Sequence, residues 1–526
     1  MFYRRPTAAM RLRHSSIRAA VQTKVRAWRR LTRVNRPASR IPGAGCWPSR
    51  PGFLPLVPRA DPLPRLSPAG GAEPVNSINF ALPRGIILGL LLLALALSIA
   101  VQILQIRLGT TGMSVLHPGM YEFEPYASKI LGLLRLASTG CALAGGLLAC
   151  LQSGFSILGL GTRLVIGIYA LAASVWLMIG ILTMPIREFL GGDNSPLIWL
   201  LCLVVFAGAQ REVWNRLPTV AGVVAWLLVP LMFDSLMKVK YYGRFQGGNP
   251  QVRYLSLGLC FAQYLLLATP GTSLFRRSIR AVPLLTCTVV AVFAQGRGWL
   301  VQCVLAFALL AARPLALRQA GAGARLARDF LLGLVLAVVV SVLLLRLYPL
   351  AVEGLLGRVT QDTRSEQYRE FFSQVDLAEL VPGKGPLATY RLGVGADLDY
   401  AYFDNQFIVM AFRGGLLIAL GYTALVLVPG FRLLLRGRDE RQYAAGATLV
   451  LWGLALAGLC TYNDVNFTAS NLFICLLAGY AHANLPTVRA ARCIQSDAKL
   501  SVSSGGAPPG NRLTHPSTHQ ALRLYR

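Results

Sequence analysis

The residues of this chain best suited to chemistry are cations in unusual settings and a few aspartates downstream of them. Arg297 lies in AQGRGWL, with a glycine on each side and apolar runs beyond. Lys238 and Lys240, read as part of a turn after an apolar run, precede the stretch GRFQGGNPQVRYLSLGL, Gly243 to Leu259, which holds Arg244 and Arg253. Arg346, Arg358, Arg364, Arg369, Lys384 and Arg391 are spread over a polar stretch that also holds Asp397, Asp399 and Asp404. Fixed cations of this kind could grip an anion, and a carboxylate near a hydroxyl could orient it or take its proton. Each group also has a plainer reading. Lys238 and Lys240 read first as ordinary boundary lysines with solvated heads. Asp397 and Asp399 read equally as solvated loop acids. Asp404 stands where a helix begins, so capping alone is its equal alternative. Arg297 is different, because an ionisable group between apolar runs marks a candidate site. Asp234 reads as a structural partner near the end of a span, and Arg413 stays open.

The elements that must position these residues are hydrophobic spans. With 54% hydrophobic and 14% charged residues and a mean hydropathy of +0.52, the composition excludes an ordinary soluble enzyme. Apolar runs long enough to cross a bilayer as helices recur throughout. Twelve spans are expected, near 85–106, 129–151, 163–185, 195–210, 217–237, 251–269, 281–295, 298–313, 329–349, 405–430, 443–461 and 468–486. The fourth, seventh and eighth are short enough to be tilted, broken or buried in protein. The chain then divides into a basic tail (1–84), spans one to nine (85–349), a large loop (350–404), spans ten to twelve (405–486) and a C-terminal tail (487–526). Residues 1–84 carry sixteen Lys and Arg against two acids and no apolar run. They read as a disordered cytoplasmic tail, with a transit peptide or a mis-assigned start as alternatives.

Charge orients the spans. A net charge of +30 would suggest nucleic acid in a soluble protein, but here it collects in the basic tail and at the even-numbered connections. Those carry Arg163; Arg211 and Arg216; Arg276, Arg277 and Arg280; Arg318, Arg325 and Arg328; and Arg432, Arg436, Arg438 and Arg441. Positive residues favour the cytoplasmic face, so both termini are expected inside and the large loop outside. The cations of the opening paragraph then face outward against this bias, which calls for a reason such as anion binding. Within the loop, Thr363 and Glu366 have capping-box spacing. Tyr368, Phe371, Phe372 and Val375 form one apolar helical stripe, predicting an amphipathic helix packed over the bundle like a lid. Gly383, Gly385, Gly393 and Gly395 suit tight turns. Of ten cysteines, eight fall inside apolar runs and none forms a CxxC pair, so neither a disulfide framework nor a zinc site is expected.

Four stretches in this order resemble the O-antigen ligase/polymerase superfamily of bacterial envelope glycosyltransferases. They are GRFQGGNPQVRYLSLGL, QGRGWLVQCVLAFALL, TRSEQYREFF (Thr363–Phe372) and RLGVGADLDYAYFDNQFIVMAFRGGLLIAL (Arg391–Leu420). The resemblance implies an all-α, GT-C-like integral membrane protein of about twelve transmembrane helices, with one large extracytoplasmic loop between spans nine and ten. It implies transfer or polymerisation of glycan carried on polyprenyl pyrophosphate, with no metal and no cofactor. Arg244, Arg297 and Arg364, with Arg253 behind them, would hold the pyrophosphate, and Asn249, Asn405 and Tyr368 would contact pyrophosphate or glycan. Asp404 stands where ligases commonly have histidine, which turns the expectation toward a polymerase. The implied partners are the lipid-linked oligosaccharide, the bilayer, a chain-length regulator and a flippase, with no nucleic acid. The alternatives are a ligase and, from another class, a flippase gripping the same pyrophosphate. Flippase-like transporters often show broken helices in two repeated halves, and no such repeat is visible here.

Overall fold

The computed structural model describes residues 84–107, 125–153, 158–191, 195–242, 253–269, 274–293, 296–319, 323–324, 346, 364–391, 399–400, 405–459 and 468–484. Among them, helices overlie eleven of the twelve expected spans; of the ninth, 329–349, only residue 346 is described. In order they are α1 (Arg84–Arg107), α2 (Pro125–Ser153), α3 (Leu160–Thr183), the short α4 (Ile186–Gly191), a 3-10 helix (Pro196–Leu203) running into α5 (Val204–Gly208), α6 (Arg211–Tyr242), α7 (Arg253–Leu267), α8 (Leu274–Phe293) and α9 (Arg297–Ala316). The loop contributes α10 (Arg364–Gln374), a 3-10 turn (Leu377–Leu380) and the two-residue strands β1 (Tyr390–Arg391) and β2 (Asp399–Tyr400). Then follow α11 (Gln406–Gly414), α12 (Leu416–Arg436), α13 (Glu440–Leu454) with a π-helical end (Ala455–Leu459), and α14 (Ala469–Asn484).

Among the described residues, six helices are long and apolar enough to cross a membrane: Gly85–Leu104, Ile130–Gln152, Leu160–Thr183, Arg211–Phe233, Arg297–Ala316 and Leu416–Arg436. Their exposed faces are those of a membrane protein. On α3, Leu160, Leu164, Ile168, Leu171, Val175, Met178 and Leu182 are exposed at helical spacing, while Ile166, Tyr169 and Ala173 face the core. Water would not tolerate so continuous an apolar stripe, and hydrocarbon does. In contrast, α14 has no exposed face from Ala469 to Ala481. It fills the centre of the bundle beside α7 and α13.

Packing between spans cannot draw on a water-to-oil gain, so close backbone approach must supply much of it. Gly208 and Gly479 provide this. A Cβ on Gly208 would collide with the Leu476 carbonyl, and one on Gly479 with the Val205 carbonyl. Buried polar groups add specific bonds. Trp452 Nε1 donates to Tyr422 Oη (3.0 Å), which donates to Asn471 Oδ1 (2.9 Å), joining α13, α12 and α14.

The fourth span, one of those expected to be tilted, broken or buried in protein, is partly 3-10, and its α-helical part, Val204–Gly208, is wholly buried. Two other sequence expectations change. Helix α6 continues through Pro218 and Pro230 to Tyr242, so Lys238 and Lys240 lie within the helix and not in a turn. The expected tenth span, 405–430, is two helices. Gly415 (φ +85°) breaks it, and the membrane-length part is Leu416–Arg436.

Candidate functional site

Hydrogen bonds fix which helix ends lie together. The Arg313 guanidinium, near the end of α9, donates to the Leu267 (3.0 Å) and Thr269 (2.5 Å) carbonyls at the end of α7. It also lies 3.7 Å from Glu440 at the start of α13. Tyr443 Oη of α13 donates to the Leu309 carbonyl of α9. Thus α7 and α9 both run antiparallel to α13. Their first residues, Arg253 and Arg297, stand at the end of the bundle where α13 finishes in its π-helical segment. Ser470 Oγ donates to the Ser256 and Leu257 carbonyls, which brings the start of α14 to the same end. Helix α11 packs against the π-helical segment too, as does α9. Arg253, Arg297 and the loop elements therefore share one end, called here the loop end.

The loop elements are built on an aromatic cluster. Phe371 of α10 is buried, with its ring edge-on to Tyr390 (5.1 Å) and Phe412 (5.2 Å). Val375 completes the buried stripe, and Tyr368 is half-buried against it. The expected stripe is correct at these positions, but Phe372 is turned outward and is 41% exposed. Buried Gln367 donates through Nε2 to Tyr390 Oη (3.0 Å). Strands β1 and β2 pair antiparallel, Tyr390 opposite Tyr400 and Arg391 opposite Asp399.

Asn405 joins this unit to the bundle. Its Oδ1 accepts from the Phe407 (3.1 Å) and Ile408 (3.4 Å) N–H groups, making it the N-cap of α11. Its Nδ2 donates to Tyr368 Oη at 3.0 Å. The capping role open to Asp404 in the sequence is thus filled by its neighbour. Both side-chain polar atoms of Asn405 serve structure, and its part at the site is to hold Tyr368 over the start of α11. Asp404, Arg244 and Asn249 lie outside the described residues, as do Thr363 and Asp397.

A second junction lies at the helix break. An interrupted helix leaves carbonyls without intrahelical donors. Here the loop supplies them: the Lys384 N–H donates to the Phe412 carbonyl (2.6 Å) and the Gly385 N–H to the Arg413 carbonyl (3.0 Å). Trp176 Nε1 of α3 donates to the Gly414 carbonyl at 2.7 Å, and the Leu416 N–H donates to the Val381 carbonyl at 3.1 Å. Gly383 and Gly415 both have positive φ and press together. Half-buried Arg413 ends α11, where a cation suits the helix dipole.

Other loop charges separate by role. Lys384 is bound to Glu379 (2.7 Å) and lies 5.9 Å from the Phe412 ring centre, so it serves the loop's structure. That ammonium, bonded to the Glu379 carboxylate, holds its pKa below the usual carboxylate range. Asp376 and Glu379 form a capping box around the 3-10 turn, and their D-x-x-E spacing is its signal in the sequence. Arg297 is half-buried at the first position of α9, with the Trp299 ring against Gly296. Arg253 and Arg364 are likewise first residues of their helices. Tyr368 stands one turn along α10 from Arg364.

A helix start carries partial positive charge and N–H groups without intrahelical acceptors. A guanidinium there adds its own charge to that of the helix start, and the combination suits an anion. Arg84 and Arg211 also open helices. They stand at the far end of the bundle, among Arg163, Arg216, Arg318 and Arg436. No family model matches the chain, and no curated protein matches it.

Proposed function

We propose that the chain is an inner-membrane glycosyltransferase acting on polyprenyl-pyrophosphate-linked oligosaccharide in bacterial surface-polysaccharide synthesis, with repeat-unit polymerisation as its reaction. One observation carries this reading. Arg253 and Arg297 open helices at the same end of the bundle as the loop unit that begins with Arg364. Developing negative charge on a departing pyrophosphate is what fixed guanidinium groups and helix N-termini stabilise best. Tyr368, one turn from Arg364 and held by Asn405, would contact glycan at the mouth of that site. Asp404, next to the capping residue, would orient or deprotonate the acceptor hydroxyl.

In this reading the chain has twelve spans, both termini in the cytoplasm and the loop outside. The resemblance of the four sequence stretches supports the same class. A ligase reading keeps the same donor site and differs in its acceptor. A flippase would use the same cations without breaking a bond, but the loop is a single asymmetric insertion and the described helices show no repeated halves.

Deletion of the gene, followed by gel analysis of surface glycan and lipid-linked intermediates, tests the proposal. Single repeat units with long chains lost are the expected result. Long chains stranded on the carrier would identify a ligase instead. Intermediates trapped on the cytoplasmic face would identify a flippase and remove the transferase reading.

A further inference from the structure

The loop has a second apolar face that its own core does not use. Phe371, Val375 and Tyr390 are buried inside it, but Leu377 is 67% exposed and Val381 59%, with Phe372 and Leu387 also turned outward. These four belong to one corner: the 3-10 turn Leu377–Leu380, the segment 381–387, and the outward side of α10. Phe372 and Leu377 line the same open cleft.

The position of this corner is fixed by bonds already described. The Val381 carbonyl accepts from the Leu416 N–H at the start of α12, where Leu416, Leu417 and Leu420 are exposed. Gly385 lies beside the Trp176 ring of α3, beyond which Met178, Ile181 and Leu182 are exposed. Both helices are of membrane-crossing length, and these leucines and their neighbours are the ends of their lipid-facing stripes. The exposed corner thus continues a surface that already faces hydrocarbon. Of its three charges, Glu379 and Lys384 are bonded to each other at 2.7 Å, which lowers the cost of holding them at a lipid boundary, and Asp376 accepts from the Ala378 N–H as the cap of the 3-10 turn.

We infer that the corner formed by Leu377, Val381 and Leu387, with Phe372 beside it, inserts into the bilayer interface next to α3 and α12 and anchors the loop to lipid. Short amphipathic elements bury their apolar side to the depth of the headgroup–acyl boundary, and four large apolar side chains suffice for a local anchor when spans on either side already hold the segment there. The inference rests on the membrane-crossing helices alone and holds whether or not the chain transfers sugar.

Nitroxide labels on Leu377→Cys and Val381→Cys, in full-length protein reconstituted in lipid nanodiscs, test it. The unsubstituted protein, labelled in parallel, gives the signal of the native thiols. Collision with oxygen, which concentrates in lipid, should exceed collision with a water-soluble nickel chelate several-fold at both sites. Arg369→Cys, on an exposed polar position of α10, should show the reverse order. A label on Leu387→Cys gives an independent reading if either substitution disturbs the turn. Nickel collision dominating at Leu377 and Val381 would place the corner in water and overturn the inference. Poor access to both reagents, with spin–spin broadening, would assign the face to a second copy of the chain and overturn it equally.

Discussion

Arg297 is the residue on which the proposed chemistry depends most, because it is half-buried at the first position of α9. Arg297→Ala should reduce glycan elongation by about 100- to 1,000-fold, the scale on which one donor to a developing charge acts. Arg297→Lys should recover only part of that loss, since an ammonium lacks the fork. Arg364→Ala should behave likewise, with membrane protein levels unchanged; full-length polymer from either Ala variant in a gel assay removes that residue from the site. Asn405 makes a different, structural prediction. Asn405→Ala loses an N-cap and the bond to Tyr368, about 1 kcal/mol each, while Tyr368→Phe loses only the latter. Thermal unfolding in detergent should therefore rank them, Asn405→Ala the less stable. Glu379 gives a pH signature. Its folded pKa is lowered by Lys384, so its contribution is full above the unfolded value of about 4.3 and fades as pH falls through the lower folded one. Hydrogen exchange around the 3-10 turn, corrected for intrinsic rates, should be steady from neutral pH to about 5 and then quicken. Glu379→Gln should flatten that response. The identity of Arg297 as unusual was legible in sequence, because glycines and apolar runs isolate it. The structural duty of Lys384 was not, because its partners, Glu379 and Phe412, come from separate segments.

The broken helix is the element whose behaviour the sequence conceals. FDNQFIVMAFRGGLLIAL reads as one span, because an averaged hydropathy passes over two adjacent glycines. Gly414 and Gly415 were the available signal, and their effect depends on backbone donors from the loop and Trp176 that no local pattern reveals. Gly415→Ala places a Cβ at φ +85° and about 2.6 Å from the Pro382 carbonyl. A cost of roughly 1–3 kcal/mol is expected, as for strained left-handed positions generally. Limited proteolysis should cut the loop sooner in that variant while the spans stay protected; unchanged cutting would mean that the junction is not closed in the working protein. Helix α10 illustrates the converse. Its apolar stripe repeats every third and fourth residue, and buried Phe371 and Val375 follow from that period alone. Phe372 faces outward because the stripe is wider than the surface beneath it.

For the molecule as a whole, the arginines at alternating connections, Arg163, Arg211, Arg216, Arg276, Arg318, Arg432 and Arg436, are a signal legible in the sequence. Arg313 stands apart from them. It is 2% exposed and ties α7, α9 and α13 together, a role hidden from sequence because its partners are two carbonyls and a glutamate far along the chain. Arg313→Met leaves Glu440 and both carbonyls without that donor, and about 3–5 kcal/mol is the usual cost of breaking a buried pair on one side. Its melting point should fall well below that of Arg436→Met, which removes an exposed cation. Equal melting points would show that the cluster does not hold the bundle. The enclosed helix α14 has a further consequence, for biogenesis. It is the last helix among the described residues, yet every face from Ala469 to Ala481 is covered by helices made before it. Throughout synthesis of those earlier helices the slot for α14 stands open, lined by Gly208, Phe261 and Tyr422 and reachable by lipid or by an insertase. Assembly of this protein therefore closes from the outside inward, with its keystone delivered late.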